Sequence, residues 1–254
     1  MQIGAQLYTV REFMKTEEGV VDTFRKIREI GFSVVQVSGM SAPISPQRLR
    51  QIADDNRLRI VLTHTDQNRI KNDTLAVIRE HEAMGCTHIG IGCRDGGQYK
   101  ETAADYRRMI ADFTPAARLM KEHGMALHYH NHNFEFERMD GAKTGFDILT
   151  GESDPALWQF TVDTYWVQAG GRDPAATIAA LPGRVSAVHI KDMAIVGGGQ
   201  RFAAVGEGNL DFAAIMDACK RAGVEWALIE QDDCYGEDPF AKLAISLENA
   251  SRYL

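Results

Sequence analysis

Three apolar segments, each typical of a buried β-strand, end in a side chain that binds metals or transfers protons. They are Val162-Asp163, Val188-His189 and Ile229-Glu230. Two carboxylates and an imidazole form a mixed oxygen and nitrogen donor set, which suits Mn²⁺, Co²⁺, Zn²⁺ or Mg²⁺ and not copper(I) or an iron–sulfur cluster. Each residue alone has an ordinary structural explanation, such as a helix-capping aspartate or a hydrogen-bonded core histidine. Together they predict a divalent-metal site, with Mn²⁺ as our first choice of ion.

A histidine-rich segment precedes these three strand ends. Residues 128–135 read HYHNHNFE. Side chains alternate along a strand, so His128, His130 and His132 would share one face if the strand continues that far. Because three imidazoles on one face are unusual as packing, we expect at least one to be a ligand or a proton carrier. Glu135, in the loop that follows, is either a further ligand or a solvated loop charge.

Lys191 lies two residues after His189, which places both side chains on the same side of a continuing strand. There an ammonium group would stabilise an enolate or bind a substrate hydroxyl. The alternative is a salt bridge to Asp192 or Glu207. Glycine-rich motifs at 197–199 and 206–208 bracket a segment that we expect to be a flexible loop, either closing over the site or forming mobile surface.

Strand-like and helix-like segments alternate along the chain, and this alternation must position the residues above. The predicted strands are 3–7, 34–37, 58–63, 88–92, 125–130, 158–162, 185–190 and 226–229. The predicted helices are 20–30, 46–56, 74–84, 104–123, 146–150, 174–180, 212–222 and 240–253. Eight such units in 254 residues predict an α/β protein, a (β/α)8 TIM barrel forming one domain over residues 1–254. An open doubly wound sheet is the alternative, but no glycine-rich turn follows the first strand.

In such a barrel, the carboxyl ends of all strands open on one face, so residues distant in sequence converge there. By position, Gln6 and His64 also face this mouth, at the ends of strands one and three. Both are predicted to bind hydroxyl groups of a ligand. Trp166, three residues after Asp163, either stacks on the apolar face of that ligand or packs in the core.

The composition excludes several classes of partner. The net charge is −7 without a long basic run, which argues against binding nucleic acid. No signal segment follows Met1 and no long apolar span occurs, so we expect a cytoplasmic protein without a membrane partner. The four cysteines form no CxxC pair and are expected to be buried or half-buried: Cys86, Cys93, Cys219 and Cys234. The sequence allows a homo-oligomer.

Taken together, these motifs resemble the xylose isomerase-like sugar phosphate isomerase/epimerase family of TIM barrels. The resemblance spans nearly the whole chain and is carried by HNHNFEF at 130–136, DTYW at 163–166, GR at 183–184, HIKD at 189–192, GEGNLDF at 206–212 and IEQD at 229–232. Each motif alone is weak, and their combination is specific. The resemblance implies a divalent-metal enzyme with a small-molecule sugar substrate: a ketose, an inosose, hydroxypyruvate or an oxidised glycoside.

The family's typical metal set is a glutamate on strand five, an aspartate on strand six, a histidine on strand seven and a glutamate on strand eight. The last three are matched here, but His130 stands at the strand-five position, which leaves the fourth ligand open among His130, His132 and Glu135. We assign the site residues as follows. The metal set is Glu135, Asp163, His189 and Glu230; the catalytic set is His130, His132, Glu230 and Lys191; the substrate set is Gln6, His64 and Trp166.

The sequence therefore predicts a metal-dependent isomerase, epimerase or lyase that acts on a small keto-sugar or 3-keto-glycoside through an enediolate. A non-catalytic barrel that binds carbohydrate or metal is the main alternative. The family's abasic-site endonuclease branch is less favoured, because it needs more metal ligands and a DNA-binding surface. A phosphate would require cations or backbone N–H groups near strands seven and eight. Because residues 231–238 are strongly acidic, we expect a neutral, unphosphorylated substrate.

Overall fold

Eight parallel strands close into a barrel, as the alternation of segments predicted. The structure is a computed structural model that describes residues 1–139 and 141–254. Its strands are β1 (Gln2–Gln6), β2 (Val34–Val37), β3 (Arg59–His64), β4 (His88–Ile91), β5 (Ala126–His130), β6 (Trp158–Asp163), β7 (Ala187–Ile190), β8 (Asp192–Val196), β9 (Gly199–Ala203) and β10 (Trp226–Ile229). The barrel order is β1-β10-β7-β6-β5-β4-β3-β2, while β8 and β9 form a separate hairpin. The TIM-barrel prediction is confirmed.

Helices connect the strands and surround the barrel. They are α1 (Glu17–Ile30), α2 (Pro46–Asp55), α3 (Gln67–Asn72), α4 (Thr74–Met84), α5 (Ala103–Glu122), α6 (Gly145–Glu152), α7 (Thr164–Ala169), α8 (Pro174–Ala179), α9 (Phe212–Ala222) and α10 (Pro239–Ser251), with 3₁₀ segments at Leu7–Phe13 and Phe134–Phe136. Every predicted strand and helix is present, with ends shifted by a few residues. The sequence analysis missed α3, α7 and both 3₁₀ segments, because elements of three to seven residues carry too few turns for a periodic pattern. Within the described residues, no helix is both long and apolar enough to cross a membrane.

Local capping explains where the longer helices begin. Thr16 and Ser45 accept hydrogen bonds from the backbone N–H groups three residues later, at the starts of α1 and α2. Thr144 and Asp147 form a reciprocal capping box on α6. These caps satisfy backbone N–H groups in the first turns of three helices that surround the barrel.

Part of the barrel interior, below the strand ends, is apolar. A small hydrophobic cluster, separate from the core between strands and helices, consists of Val34, Val61, Leu62, Ala187, Trp226 and Leu228. Trp226 and Leu228 share a strand face with Glu230, so this cluster lies inside the barrel beneath Glu230. Gly4 is part of this close packing, since a Cβ there would lie 2.7 Å from Val34 Cγ2 and 2.8 Å from Leu228 Cδ2. The site above therefore has a packed floor.

The segment between β7 and α9 is a hairpin and not the flexible loop that we expected. β8 and β9 pair in antiparallel register from Asp192–Ala203 to Val196–Gly199. Gly197 and Gly198 form the two-residue turn, with φ of +60° and +81°, values that match the twist of a tight hairpin and favour glycine. The glycines were read as a sign of flexibility, whereas they allow an ordered turn.

Asp192 holds the base of this hairpin. Its Oδ1 accepts hydrogen bonds from the N–H groups of Met193 (2.7 Å) and Leu210 (3.2 Å). Its Oδ2 accepts from the N–H groups of Gly206 and Gly208, both at 2.9 Å. A buried carboxylate that accepts four backbone bonds ties the segment before α9 to the end of β7. Asp192 is therefore engaged by backbone and is not the partner of Lys191.

Asp192→Asn should lower the free energy of unfolding by about 2–3 kcal/mol, because the amide removes the charge and turns a donor toward backbone N–H groups. Urea denaturation measures this change. Asp211→Asn is the matched control, since Asp211 caps α9 through one exposed bond to Ala214 and should cost at most about 1 kcal/mol. Equal losses in the two variants would contradict the anchoring role of Asp192.

A candidate metal centre at the mouth of the barrel

Four buried side chains converge where the strands end. His130 and Asp163 are the last residues of β5 and β6, His189 lies near the end of β7, and Glu230 follows β10. Each offers one potential ligand atom, and these four atoms lie within 4.8 Å of one another. The structure thus brings together three residues that the sequence assigned to the metal, with His130 as the fourth. It does not bring Glu135 into this cluster.

Glu135 lies neither in the metal cluster nor in solvent, the two environments considered from sequence. Its Oε1 accepts a hydrogen bond from the Tyr129 hydroxyl and its Oε2 one from the His132 N–H at 2.8 Å. The side chain is fully buried, and burial raises its pKa to about 7. Glu135 is therefore neither a solvated loop charge nor a neighbour of the other acids; it fixes the backbone after β5.

The distances within the cluster are those of a charged centre. Asp163 Oδ2 lies 3.3 Å from His130 Nε2 and 3.7 Å from His189 Nδ1. Glu230 Oε2 lies 3.0 Å from His189 Nδ1. Burial opposes ionisation of both acids. The neighbouring ammonium of Lys191, and after it the two histidines, nevertheless hold the pKa of Asp163 and Glu230 well below the usual carboxyl range. Both carboxyl groups are therefore anionic at neutral pH.

Each histidine of the cluster is oriented by a hydrogen bond from the ring nitrogen that points away from the carboxylates. His189 Nε2 donates to Gln36 Oε1 at 2.7 Å, which turns Nδ1 toward Glu230. His130 Nδ1 lies 2.9 Å from the carbonyl oxygen of Gly92, which accepts its proton. Burial lowers the pKa of His130, so its ring is neutral and presents an Nε2 lone pair to Asp163. Hydrogen bonds that fix the tautomer in this way are typical of metal-binding histidines.

Lys191 contributes a buried ammonium to the same centre. Its Nζ lies 3.0 Å from Asp163 Oδ2, 2.8 Å from Glu230 Oε2 and 2.9 Å from Asp232 Oδ1. Burial opposes its charge, but the three carboxylates raise the pKa of Lys191 far above its usual value. The alternative considered from sequence, a salt bridge to Asp192 or Glu207, is wrong, because Asp192 binds backbone and Glu207 pairs with Lys242. Lys191 belongs to the site.

Two polar side chains support the acids without facing the cavity. Gln6 Nε2 donates to Glu230 Oε1 at 2.8 Å, and Gln6 Oε1 accepts from the N–H of Tyr8 at 2.8 Å. Both ends of this buried amide are thus engaged inside the protein, so Gln6 orients Glu230 and does not line the cavity as a hydroxyl-binding residue. Asn131 Oδ1 accepts from the Asp163 N–H at 3.0 Å and fixes the end of β6.

A cavity of about 490 Å³ opens beside the cluster. Among its lining residues are His64, His132, Asp66, Gln67 and Cys93. Burial lowers the pKa of His64, and that of His132 to about 3, so both imidazoles are neutral. Within the described residues, His64 Nε2 and His132 Nδ1 have no hydrogen-bond partner, which leaves polar atoms for a ligand. Cys93 is exposed, contrary to the expectation for all four cysteines.

The other predicted site residues lie near this cavity or beneath it. The Trp166 ring centroid is 5.3 Å from that of His132 and 5.7 Å from that of Phe202 on β9. The hairpin therefore packs against one side of the site. His128 lies deeper in the barrel, where Thr161 and Ser186 hydroxyls are 3.2 and 3.3 Å from its ring nitrogens. Of the three alternating histidines, only His130 and His132 reach the mouth.

Sequence reasoning missed Gln36, Asn131 and Asp232 as parts of the site. Gln36 carried a usable signal, since it is the one polar residue of β2, in Val34-Val35-Gln36-Val37. A fully buried amide in an apolar strand requires a partner. Asp232 lies two residues after Glu230. From sequence it was interpreted only as part of the acidic segment 231–238.

Comparison with known proteins places the chain in a family. The family model described as xylose isomerase-like TIM barrel matches residues 24–248. The chain belongs to this family. A search of curated proteins finds no match. This assignment confirms the resemblance that the sequence motifs indicated.

Solved structures share the whole barrel of this family member. A sugar phosphate isomerase/epimerase from Parabacteroides distasonis ATCC 8503 is 19% identical, with a TM-score of 0.83 over 99% of this chain and 95% of that one. A D-allulose 3-epimerase from Methylomonas sp. is 16% identical, with a TM-score of 0.69 over 100% and 98%. IOLI protein with a binding zinc atom is 12% identical, with a TM-score of 0.72 over 100% and 99%. At these identities the likeness shows the fold.

Gln36→Leu should release the tautomer of His189, because the Nε2 proton loses its acceptor. We expect ¹⁵N NMR of labelled imidazoles to show a shift from the Nε2–H to the Nδ1–H form, and Mn²⁺ affinity to fall about 10–100-fold. Gln67→Leu is the control, since Gln67 lines the cavity but donates to the Cys93 carbonyl and not to a histidine. An unchanged His189 spectrum in Gln36→Leu would remove the positioning role.

Proposed function

We propose that this protein is a divalent-metal-dependent isomerase, epimerase or lyase that acts on a small keto-sugar or 3-keto-glycoside. One observation carries the proposal: four buried ligand atoms from four strand ends lie within 4.8 Å of one another at the mouth of a TIM barrel. Active sites of this fold form at that face. The names of structural neighbours, which include an L-ribulose 3-epimerase and a D-allulose 3-epimerase, support the same substrate class.

The residues fit a divalent cation. His189 Nδ1 and Glu230 Oε2 are buried and, among the described residues, have no hydrogen-bond partner of acceptable geometry. His130 lies between two acceptors, the Gly92 carbonyl and Asp163, although a neutral imidazole has only one proton to donate. A cation held by His130, Asp163, His189 and Glu230 would satisfy these atoms. Such an ion supplies a Lewis acid that polarises a carbonyl and its neighbouring hydroxyl.

The chain's own residues would move the proton. His132 lines the cavity, and its Nδ1, unpaired among the described residues, is our candidate to accept a proton from a substrate C–H, although its lowered pKa makes it a weak base. The ammonium of Lys191, also on the cavity, would stabilise the negative charge that develops on the adjacent substrate oxygen. His64, with its unpaired Nε2, would bind a hydroxyl. Glu230 remains available as a second acid–base group.

The cavity favours a neutral substrate. Its lining includes the carboxylates of Asp66, Glu230 and Asp232, and among the described residues Lys191 is the one lysine or arginine in that lining. That ammonium is already surrounded by three carboxylates. A phosphate group would therefore meet negative charge without a free counter-charge. This supports the expectation of an unphosphorylated sugar.

The test of the proposal is deuterium incorporation from D₂O, with Mn²⁺ added, into a panel of ketoses, 3-keto-glycosides and the matching sugar phosphates. We expect exchange into a free sugar or glycoside with a higher kcat/KM than for its phosphate. Asp163→Asn, His189→Ala and Glu230→Gln should each lose bound metal and exchange, because each removes a donor atom. Sugar binding without exchange would indicate a non-catalytic barrel, and a preference for the phosphate would contradict the substrate charge.

His130→Gln separates the two roles considered for this residue. Since loss of an outer partner of a ligand costs about 10–100-fold in metal affinity, loss of a ligand should cost at least as much. We expect weak Mn²⁺ binding and activity that recovers at high Mn²⁺. Turnover reduced by about two to four orders of magnitude with normal metal affinity would instead identify His130 as the proton carrier. Isothermal titration and steady-state rates on one variant distinguish the outcomes.

A further inference from the structure

Lys191 contacts the same carboxylate oxygens that face the two histidines. Its Nζ is 3.0 Å from Asp163 Oδ2, the atom nearest to His130 Nε2. It is also 2.8 Å from Glu230 Oε2, the atom 3.0 Å from His189 Nδ1. A divalent cation held by this cluster would therefore compete with the ammonium for these two oxygens. Two cations that contact the same oxygens repel each other, so the ammonium and a divalent cation would not both keep these contacts.

Asp232 gives Lys191 a third contact outside the four-residue cluster. The distance from Nζ to Asp232 Oδ1 is 2.9 Å. The Asp232 side chain is 21% exposed, whereas those of Asp163 and Glu230 are 0% and 4% exposed, so Asp232 lies on the cavity side of the ammonium. Lys191 can therefore turn from the inner acids to the outer one without leaving the site.

The backbone around Asp232 is held by the first 3₁₀ segment. Arg11 donates to the Asp232 carbonyl oxygen at 3.0 Å, and the N–H of Gln231 donates to the Thr9 hydroxyl at 2.9 Å. These contacts place the carboxylate beside Lys191 whether or not the inner acids are occupied. The backbone of Asp232 is thus held beside Lys191 by contacts that do not involve the inner acids.

We infer that Lys191 neutralises the inner carboxylates in the metal-free protein and is transferred to Asp232 when a divalent cation binds, with Asp232 as its positioning residue. This inference rests on the proposed metal site. The charges agree with it: three carboxylates and one ammonium leave −2, which one dication balances when its histidine ligands are neutral. Asp232 thereby reduces the cost of binding the metal next to a lysine and keeps the ammonium at the cavity.

Mn²⁺ titration by calorimetry tests this on the full chain. Lys191→Met should bind Mn²⁺ about tenfold or more tightly than wild type, because a repelling charge is removed. Asp232→Asn should bind about tenfold or more weakly, because the lysine then has no acceptor other than the metal's own ligands. Asp233→Asn is the matched control: it removes the same charge one residue away, from a carboxylate bonded to the Tyr235 N–H, and should stay within about twofold of wild type.

Thermal unfolding gives a second measurement. Metal-free Lys191→Met leaves three carboxylates close together, so its Tm should fall below that of wild type and rise further on addition of Mn²⁺. If this variant does not fold, Asp232→Asn, at a side chain that is 21% exposed, still carries the test. Wild type that binds Mn²⁺, with Asp232→Asn equal to Asp233→Asn, would overturn the inference alone. Wild type that binds no divalent cation would overturn the proposed function and the inference with it.

Discussion

Closure of the sheet between its first and last strands is the constraint on which the site depends. β1 pairs with β10 from Gln2–Trp226 to Ala5–Ile229, which joins the two ends of the chain in parallel register. At the top of this seam the amide of Gln6 reaches Glu230 across 224 residues of sequence. Without that pairing, neither the carboxylate nor its support would face β6 and β7. The geometry of the four-residue cluster is therefore a property of the closed barrel rather than of any local motif.

Closure also concentrates charge in a small, poorly hydrated space. Anionic Asp163 and Glu230 are stable there because the Lys191 ammonium contacts both, while the Trp166 backbone N–H donates to Asp163 and the Gln6 amide donates to Glu230. Removing one partner would leave a buried charge unpaired, which is far more costly than removing a whole pair. The apolar floor formed by Trp226, Leu228 and their neighbours excludes water from below. Ions and ligands therefore reach the site from its cavity side.

The alternation of strand and helix segments predicted the barrel. The two-residue period of strands, applied at the strand ends, predicted most residues of the centre. Asp163, His189 and Glu230 each end an apolar strand. Their side chains could be placed from sequence, since a charge at the end of a buried strand must face other polar groups. Glu135 was misplaced because a carboxylate's partners depend on loop geometry, here a tyrosine and a backbone N–H. The network of Gln36, Gln6 and Asp232 depends on distances between strands, which no spacing along the chain encodes.

The β8–β9 hairpin has a consequence for how this barrel can acquire new specificity. Its base is secured by the single carboxylate of Asp192, and Phe202 packs against Tyr165 with ring centroids 4.3 Å apart. The tip, with Ile195 and Val196 more than half exposed, bears on no barrel strand. Residues near the turn can therefore be exchanged, lengthened or shortened without altering the strand register. The hairpin is therefore a wall beside the site whose tip can change while the buried cluster at the strand ends keeps its geometry.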